Sequence, residues 1–381
     1  MRIKDLFLTL ALLNSPALLE AGECCPPGAW IAPNCSCLEA KDIGTLYSAW
    51  PNLCSPCPPV GWGETFEVSF LYWQAQEDGL DFAIKNNPTY TPTPTLYANV
   101  NGQFIGLDFN WEPALKLNGS MIFPNGWDFD FRWTTYYSRS KHTTSHAAVD
   151  ANTTSGLYPL WLLPNAYAVT PPVYGQARGL WNLHLNTFDF ELGANAFLTP
   201  RVSLRFHGGF KCIIIDQKYR VKYLNGITNG ANQMLPSRAA LSNDCFGAGP
   251  RIGFNSRWFV AYGWSIAADI AGSMTLNRFK MKRSDSDRAL APTLNQKTSY
   301  FREKYYAFRP NLEALLGASW DTCYGCNNRY SFGFMAAYEL QYYWEQNMMP
   351  QLVSRPISFL SFPSRGDLHC HGLTATLRFG F

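Results

Sequence analysis

The sequence predicts an all-β chain that folds as a transmembrane antiparallel β-barrel, and three observations lead to this fold class. Apolar and polar residues alternate with a period of two over most of the chain after about residue 64. No stretch beyond the N-terminus offers the roughly 18 uninterrupted apolar residues that a membrane-spanning helix needs. The chain also ends in an alternating strand whose last residue is aromatic, Phe381. Strands that cross a membrane must close into a barrel, because lipid offers no hydrogen-bond partner to an open edge.

The N-terminus has the pattern of a secretory signal peptide. Arg2 and Lys4 form a positive region, residues 6–13 an apolar core, and Ala21 is a small residue suited to cleavage. We therefore expect a signal peptide over residues 1–21 that exports the mature chain. The alternative interpretation of this segment is a buried N-terminal helix.

Residues 22–60 are rich in cysteine and proline and are predicted to form a periplasmic segment. An oxidising compartment favours disulfides for such a segment, whereas paired Cys-x-x-Cys motifs in a cytosolic chain would favour zinc. The total of 11 cysteines is odd, so at least one thiol has no partner within the chain and cross-links to other cysteine-rich envelope proteins become plausible. The candidate disulfide cysteines are Cys24, Cys25, Cys35, Cys37, Cys54, Cys57, Cys323 and Cys326.

Residues 64–381 carry the strand pattern that predicts the barrel. In the stretch 127–137, aromatic residues occupy one face and Asp128, Asp130 and Arg132 the other, a separation that a strand produces and a helix does not. The alternation recurs in 105–121, 264–277 and 330–344. We expect Phe129, Phe131, Phe334 and Leu377 to face lipid, and Asp128, Asp130, Glu339 and Arg378 to face inward.

The connections between strands predict about ten strands. Short polar turns at 124–126, 199–201, 255–263 and 321–329 alternate with long loops at 77–102, 139–178, 225–244, 283–298 and 346–369. Bacterial barrels place short turns in the periplasm and long loops outside. Splitting the stretches 103–122 or 201–224 would raise the number, so the predicted range is ten to fourteen. Phe381 closes the final strand, and we expect the barrel-assembly machinery to recognise this terminus.

Several segments resemble the Legionella-type major outer membrane protein family, including the porin-like proteins of chlamydia-related bacteria. They are the stretches FLYWQAQEDGL at 70–80, WDFDFRW at 127–133, GAGPRIGF at 247–254, YELQYYWEQN at 338–347 and GDLHCHGLT at 366–374. The likeness spans most of residues 64–381 and rests on the order of the motifs. It implies an abundant porin-like barrel in the bacterial outer membrane. The dense cysteine segment is more similar to the chlamydial members, where disulfides stiffen the envelope.

Charged residues of both signs occupy predicted inward positions. They allow two interpretations, a water-filled conduit or a packed network of ion pairs that fills a narrow barrel. The resemblance favours passive diffusion of ions or small hydrophilic solutes, with a plugged anchor or adhesin as the alternative. Because both signs are present, the sequence does not predict which ions would be preferred. The predicted lumen-facing charged residues are Asp108, Glu112, Lys116, Asp128, Asp130, Arg132, Arg201, Arg205, Lys211, Arg251, Asp269, Arg309, Glu313, Glu339 and Arg378.

Other classes of function receive little support from the sequence. Ser145 beside His142 and His146 is the one candidate for a nucleophile with a base, and loop residues of these types usually face solvent. We therefore expect no enzyme, no cofactor and no metal site. A net charge of +3 without a basic block or a phosphate-binding glycine loop argues against nucleic acid. The expected partners are outer-membrane lipid, the assembly machinery, other envelope proteins and, through oligomerisation, further copies of the chain.

Overall fold

The computed structural model describes residues 63–86, 102–123, 126–146, 155–162, 173–199, 201–227, 233–234, 236–261, 263–287, 299–324, 330–355, 358–363 and 366–381. The predicted signal peptide, the cysteine-rich segment and Cys326 lie outside these residues. The described residues form strands and connections without a helix. Within the same ranges, no helix is long and apolar enough to cross a membrane.

Sixteen strands are present in the described residues, and the longest have more than 20 residues. They are β1 Gly63–Glu77, β2 Ala83–Asn86, β3 Gly102–Ile105, β4 Trp111–Ile122, β5 Trp127–Ser145, β6 Gly156–Pro159, β7 Val173–Thr199, β8 Val202–Ile227, β9 Gln233–Met234, β10 Ser237–Ala261, β11 Trp264–Asp287, β12 Ser299–Tyr324, β13 Tyr330–Asn347, β14 Pro350–Arg355, β15 Ser358–Pro363 and β16 Gly366–Gly380.

Ten of these strands form a closed antiparallel ring in the order β1, β4, β5, β7, β8, β10, β11, β12, β13 and β16. The first and last strands of the chain pair with each other, with Val68 opposite Leu377. The ring is also continuous between β7 and β8, where Asp189 lies opposite Lys211. The predicted all-β barrel and the predicted number of about ten strands are therefore confirmed.

All the short turns of the ring lie at the end where β1 begins and β16 finishes. Gly126 and Gly263 adopt left-handed backbone in two of them, with φ of 84° and 83°, a conformation that glycine reaches without steric cost. The longer connections lie at the opposite end. By the pattern of bacterial barrels, the short turns face the periplasm and the long connections face the outside.

The strand boundaries differ from the sequence prediction in three places. The stretch 103–122 divides into β3 and β4, because residues 106–110 leave the ladder. The turn expected over 255–263 is much tighter, since β10 continues to Ala261. The strands also extend into the predicted long loops, as β5 reaches Ser145 and β10 begins at Ser237. These strands are far longer than the 9–11 residues that a bilayer requires, so they project beyond the membrane.

Polarity reverses along the long strands, as β8 shows. In its first half, Phe206 and Phe210 point outward, whereas Lys211 is fully buried inside. In its second half, Tyr219 and Tyr223 are buried inside, and the outward positions carry Lys218, Arg220 and Lys222. In the half nearer the periplasm, apolar residues therefore face outward, as in a barrel in lipid. In the half nearer the outside, apolar residues face inward and charged residues face outward, as in a soluble protein.

The outward-facing apolar residues in the periplasmic half of the strands form a belt that contacts lipid. A charge placed in this belt should destabilise the protein strongly. Ile270 faces outward on β11 in the middle of the apolar residues, so Ile270→Arg should lower the free energy of unfolding by about 2–4 kcal/mol. Urea titration of the protein folded into phospholipid vesicles measures this change. Ser284→Arg, on the same strand and face but above the belt, serves as control and should cost less than about 1 kcal/mol. Equal losses in the two variants would contradict the assigned membrane position.

Candidate functional site: the barrel interior

The centre of the barrel is filled by ion pairs between strands. Arg251 on β10 donates to Glu191 at 2.8 Å and to Glu313 at 2.6 Å. Lys211 on β8 donates to Glu313 at 2.5 Å and to Asp189 at 3.0 Å. These side chains are almost completely buried, so each charge depends on its partners for the stabilisation that water would otherwise provide.

Arg205 extends this cluster toward the periplasmic end. Its guanidinium lies 2.5 Å from Asp128, 2.9 Å from Asp130 and 3.3 Å from Glu191. A Cβ at Gly193 would lie 2.6 Å from Arg205 Nε, so glycine leaves the space that the guanidinium occupies. Carboxylates from two strands, β5 and β7, thus surround one arginine.

A second group of charges lies nearer the periplasmic rim and is more exposed. Arg378 on the last strand pairs with Glu67 and, at 3.1 Å, with Asp321. Arg257 lies 3.2 Å from Asp321 and keeps 28% of its side-chain surface exposed. The interior at this end is therefore polar and accessible to water.

One pair joins β4 to β13 across two intervening strands. Lys116 Nζ donates to both carboxylate oxygens of Glu339 at 2.6 Å, and Thr374 donates to the same carboxylate at 3.0 Å. Lys116 also lies 5.6 Å from the centre of the Trp73 ring. Gln341 donates to the same buried carboxylate at 3.2 Å, and Lys116 is the cation that pairs with it among the described residues.

The extracellular half of the interior contains a cluster of buried apolar side chains and is closed by inserted segments. Residues 80–86, which include β2, and residues 155–162, which include β6, lie inside the ring against buried aromatic side chains. We call these two segments the plug. The buried aromatic residues around it are Trp73, Tyr136, Tyr174, Trp181, Tyr219, Tyr223, Phe279 and Tyr343.

A single hydroxyl holds both parts of the plug. Tyr223 on β8 donates to the carbonyl of Phe82 at 2.6 Å and accepts from the backbone amides of Leu160 at 3.2 Å and Trp161 at 3.3 Å. On the other side, Arg283 donates to the Trp161 carbonyl at 2.8 Å. The plug is therefore attached to β8 and β11 by side-chain hydrogen bonds to its backbone, and to β7 by the pairing of Leu157 with Tyr174.

Side chains from nearly opposite strands also meet in the interior. Gln217 on β8 donates to Glu77 on β1 at 2.9 Å, although three strands of the ring separate β8 from β1. Lys211 and Glu313 bridge β8 and β12 at a lower level. In the described conformation, side-chain contacts therefore span the barrel at two heights.

Most of the charged residues selected from the sequence lie within these clusters, and two of the selected residues do not take inward strand positions. Asp108 lies in the irregular segment before β4, with 72% of its side-chain surface exposed, where it contacts His142. Arg201 is exposed in the turn between β7 and β8. Both differ from the expected inward placement, because neither belongs to a strand of the ladder at that point.

The remaining predicted residues occupy inward positions with fewer contacts. Arg309 pairs with Glu345 at 2.6 Å near the extracellular end. Glu112 and Asp269 are half-buried on inward positions of β4 and β11. Arg132 lies 3.9 Å from Glu191 at the edge of the central cluster.

Sequence reasoning missed several members of the site. Asp189 pairs with Lys211 and is two residues from Glu191, so the same alternation along β7 identifies it. Asp321 and Arg257 were obscured by the turns predicted around them. The sequence did not predict the plug, because its short segments lie within long connections where apolar and polar residues do not alternate.

The remaining predicted cysteine and catalytic features are only partly described. Cys212, Cys245 and Cys370 are free thiols on strands of the barrel. Ser145 and His142 lie on opposite faces of β5, and no hydrogen bond joins them among the described residues. In that part of the chain, no group of three His, Cys, Asp or Glu side chains could hold a metal ion. The absence of catalysis stays a prediction.

A closed ring with lipid-facing aromatics and an ion-paired interior defines the class of bacterial outer-membrane β-barrels. A family model described as Legionella pneumophila major outer membrane protein precursor matches residues 54–381. The chain therefore belongs to this family, and its location is the bacterial outer membrane. The resemblance noted from the sequence motifs is confirmed.

Solved structures with a similar arrangement have very different sequences. The outer membrane protease OmpT from Escherichia coli is 8% identical with a TM-score of 0.38, covering 85% of this chain and 98% of that one. A Pseudomonas aeruginosa FadL homologue is 8% identical with a TM-score of 0.24, covering 90% and 96%. The Pseudomonas putida toluene transporter TodX is 6% identical with a TM-score of 0.22, covering 90% and 96%. A search of curated proteins finds no significant match.

Removing one partner of the Lys116–Glu339 pair should destabilise the barrel. Lys116→Met leaves a buried carboxylate without its cation, so we expect a loss of about 3–5 kcal/mol in the free energy of unfolding. Lys282→Met is the matched control, because Lys282 lies 3.6 Å from Asp244 in an exposed pair and should cost less than about 1 kcal/mol. The double variant Lys116→Met with Glu339→Gln should recover part of the loss in urea titration. A double variant less stable than the single one would contradict the pairing.

Proposed function

We propose that this protein is a narrow, porin-like conduit of the outer membrane, closed at rest, which lets small ions pass when the plug moves. The observation that carries the proposal is the division of the interior into a charged half and a half closed by loop segments. Closure by inserted loops does not require the ring itself to change.

The attachment of the plug supports a reversible closure. Tyr223 and Arg283 hold it through hydrogen bonds to backbone carbonyls and amides, each of which contributes about 0.5–3 kcal/mol. A few such bonds can break without unfolding strands that share continuous ladders. A displaced plug would connect the polar periplasmic half to the outside.

The central ion pairs limit the size of what can pass. Lysine and arginine side chains can rotate and take up water, so the pairs around Glu313 can open for an ion more easily than for a bulky solute. Barrels of about eight strands are filled by side chains and those of sixteen contain channels, and ten strands lie near the filled end of this range. We therefore expect passage of small inorganic ions and exclusion of disaccharides and larger solutes.

The second candidate function is a structural barrel that anchors the envelope without conducting. The buried contacts between Gln217 and Glu77 favour it, because they hold nearly opposite walls together. The two functions differ in one measurement, the conductance of the folded protein.

Loosening the plug should increase ion conductance. In planar bilayers, we expect the unmodified protein to open rarely, and Tyr223→Phe to open about tenfold or more often, because the variant loses the hydroxyl that holds both parts of the plug. Tyr338→Phe removes an outward hydroxyl that contacts His371 and should leave conductance unchanged. Silent bilayers for the unmodified protein and for Tyr223→Phe would favour the structural barrel.

Cross-linking of the envelope through disulfides forms a further part of the proposal. The cysteine-rich segment precedes β1, whose start lies at the end of the barrel assigned to the periplasm, and Cys323 lies near the end of β12 at the same rim. A bridge between Cys323 and Cys326 would close a very small ring and stabilise little, so bonds to the N-terminal segment or to other proteins are more favourable.

Disulfide-linked oligomers should be visible on non-reducing gels and collapse to monomer with thiol. Replacing Cys323 and Cys326 with Ser should weaken the oligomer bands in cells alkylated before lysis. Replacing Cys245 and Cys370 with Ala is the matched control, because both thiols are buried inside the barrel and cannot reach another protein. Monomer migration without reductant would contradict the cross-linking role.

A further inference from the structure

We propose that the outer wall formed by β10, β11 and β12 binds an acylated, phosphorylated lipid of the outer leaflet. The site combines an apolar groove in the upper part of the membrane belt with basic side chains immediately above it. This inference concerns the lipid-facing surface and is independent of conduction through the interior.

A band of basic residues lies above the belt on one side of the barrel. Among the described outward positions of this band, Asp216 and Asp244 are the acidic residues. The basic members are Arg178 on β7, Lys218, Arg220 and Lys222 on β8, Arg238 on β10, Arg278, Lys280 and Lys282 on β11, and Arg302 and Lys304 on β12. Such a band attracts anionic groups at the membrane surface.

Two pairs of these cations lie directly opposite one another on β11 and β12. Lys280 lies opposite Lys304 and Lys282 opposite Arg302, while on the β10 side Lys280 lies opposite Asp244. Like charges in directly opposed positions destabilise a sheet. Within the described ranges, no carboxylate lies at ion-pair distance from Arg278, Lys280 or Lys304, whereas Lys282 pairs at 3.6 Å with Asp244. A bound phosphate would relieve this repulsion.

A groove of about 480 Å³ lies directly below these cations. It is lined by Phe246, Ala248, Leu276, Arg278 and Tyr306. Phe246 lies opposite Arg278, and Arg278 lies opposite Tyr306, so the groove crosses all three strands at the height where polarity reverses. Its apolar floor fits an acyl chain, and Arg278 at its edge fits a phosphate oxygen.

Next to this wall, β13 and β16 present a different outer surface. There, Tyr338, Tyr342, His369 and His371 stack beside one another. The basic band thus does not continue from β12 onto β13 and β16. An acylated phosphate uses both the groove and the band, whereas a free phosphate would use only the band.

Binding can be tested on the folded protein in a zwitterionic detergent, with diphosphoryl lipid A as the probe. We expect lipid A to remain bound in native mass spectrometry, and dephosphorylated lipid A, phosphatidylcholine and inorganic phosphate to bind at least tenfold more weakly. Lys280→Gln with Lys304→Gln should weaken lipid A binding about tenfold or more, since each basic side chain near an anionic lipid contributes measurably. Ala248→Trp, which fills the groove without changing charge, should also weaken it.

Arg139→Gln with Lys141→Gln is the matched control, because it removes two exposed outward charges from β5, away from the groove. This control should bind lipid A like the unmodified protein, and a heat-dependent gel shift confirms that every variant is folded. Three results would overturn the inference. They are equal weakening in both double variants, equally tight binding of inorganic phosphate, and equally tight binding of phosphatidylcholine.

Discussion

Every backbone amide and carbonyl in the membrane must find a partner within the protein, and this constraint determines the rest of the structure. The ladder between the first and last strands satisfies it, and it extends to the terminal residue, where Phe381 and Glu64 exchange two backbone hydrogen bonds of 3.0 Å. Because the ring closes with ten strands, its radius is small. Side chains from opposite walls therefore come within contact distance.

The narrow radius explains why the interior holds long charged side chains in pairs. Glu313 accepts hydrogen bonds from both Lys211 and Arg251, and Glu191 lies near Arg205, Arg251 and His207. Removing one member of such a cluster leaves a buried charge without compensation, whereas the intact cluster is close to neutral. The clusters consequently fix the relative positions of five strands around the lumen.

The sequence predicted the ring and the orientation of its side chains well, because a period of two is a direct consequence of strand geometry. Asp128, Asp130, Glu339 and Arg378 are inside and Phe129, Phe131, Phe334 and Leu377 are directed outward, as the alternation indicates. The predicted inward position of Asp108 was wrong. The alternation of apolar and polar residues continues around it, although the backbone there does not pair with a neighbouring strand. The plug was not predictable, since Trp161 and Phe82 reach their positions through long-range packing that leaves no local pattern.

The reversal of polarity along β8 and β11 fixes how deeply the barrel lies in the bilayer. A strand rises about 3.3 Å per residue, so sinking by two residues at the usual tilt would carry the barrel about 5 Å downward. That movement would draw Arg278 into hydrocarbon, together with other cations of the same height. Rising by the same amount would expose Leu276 and Phe308, the outward apolar residues just below these cations, to water at the extracellular surface. The protein therefore has one preferred vertical position, and a bilayer of different thickness must deform to meet it.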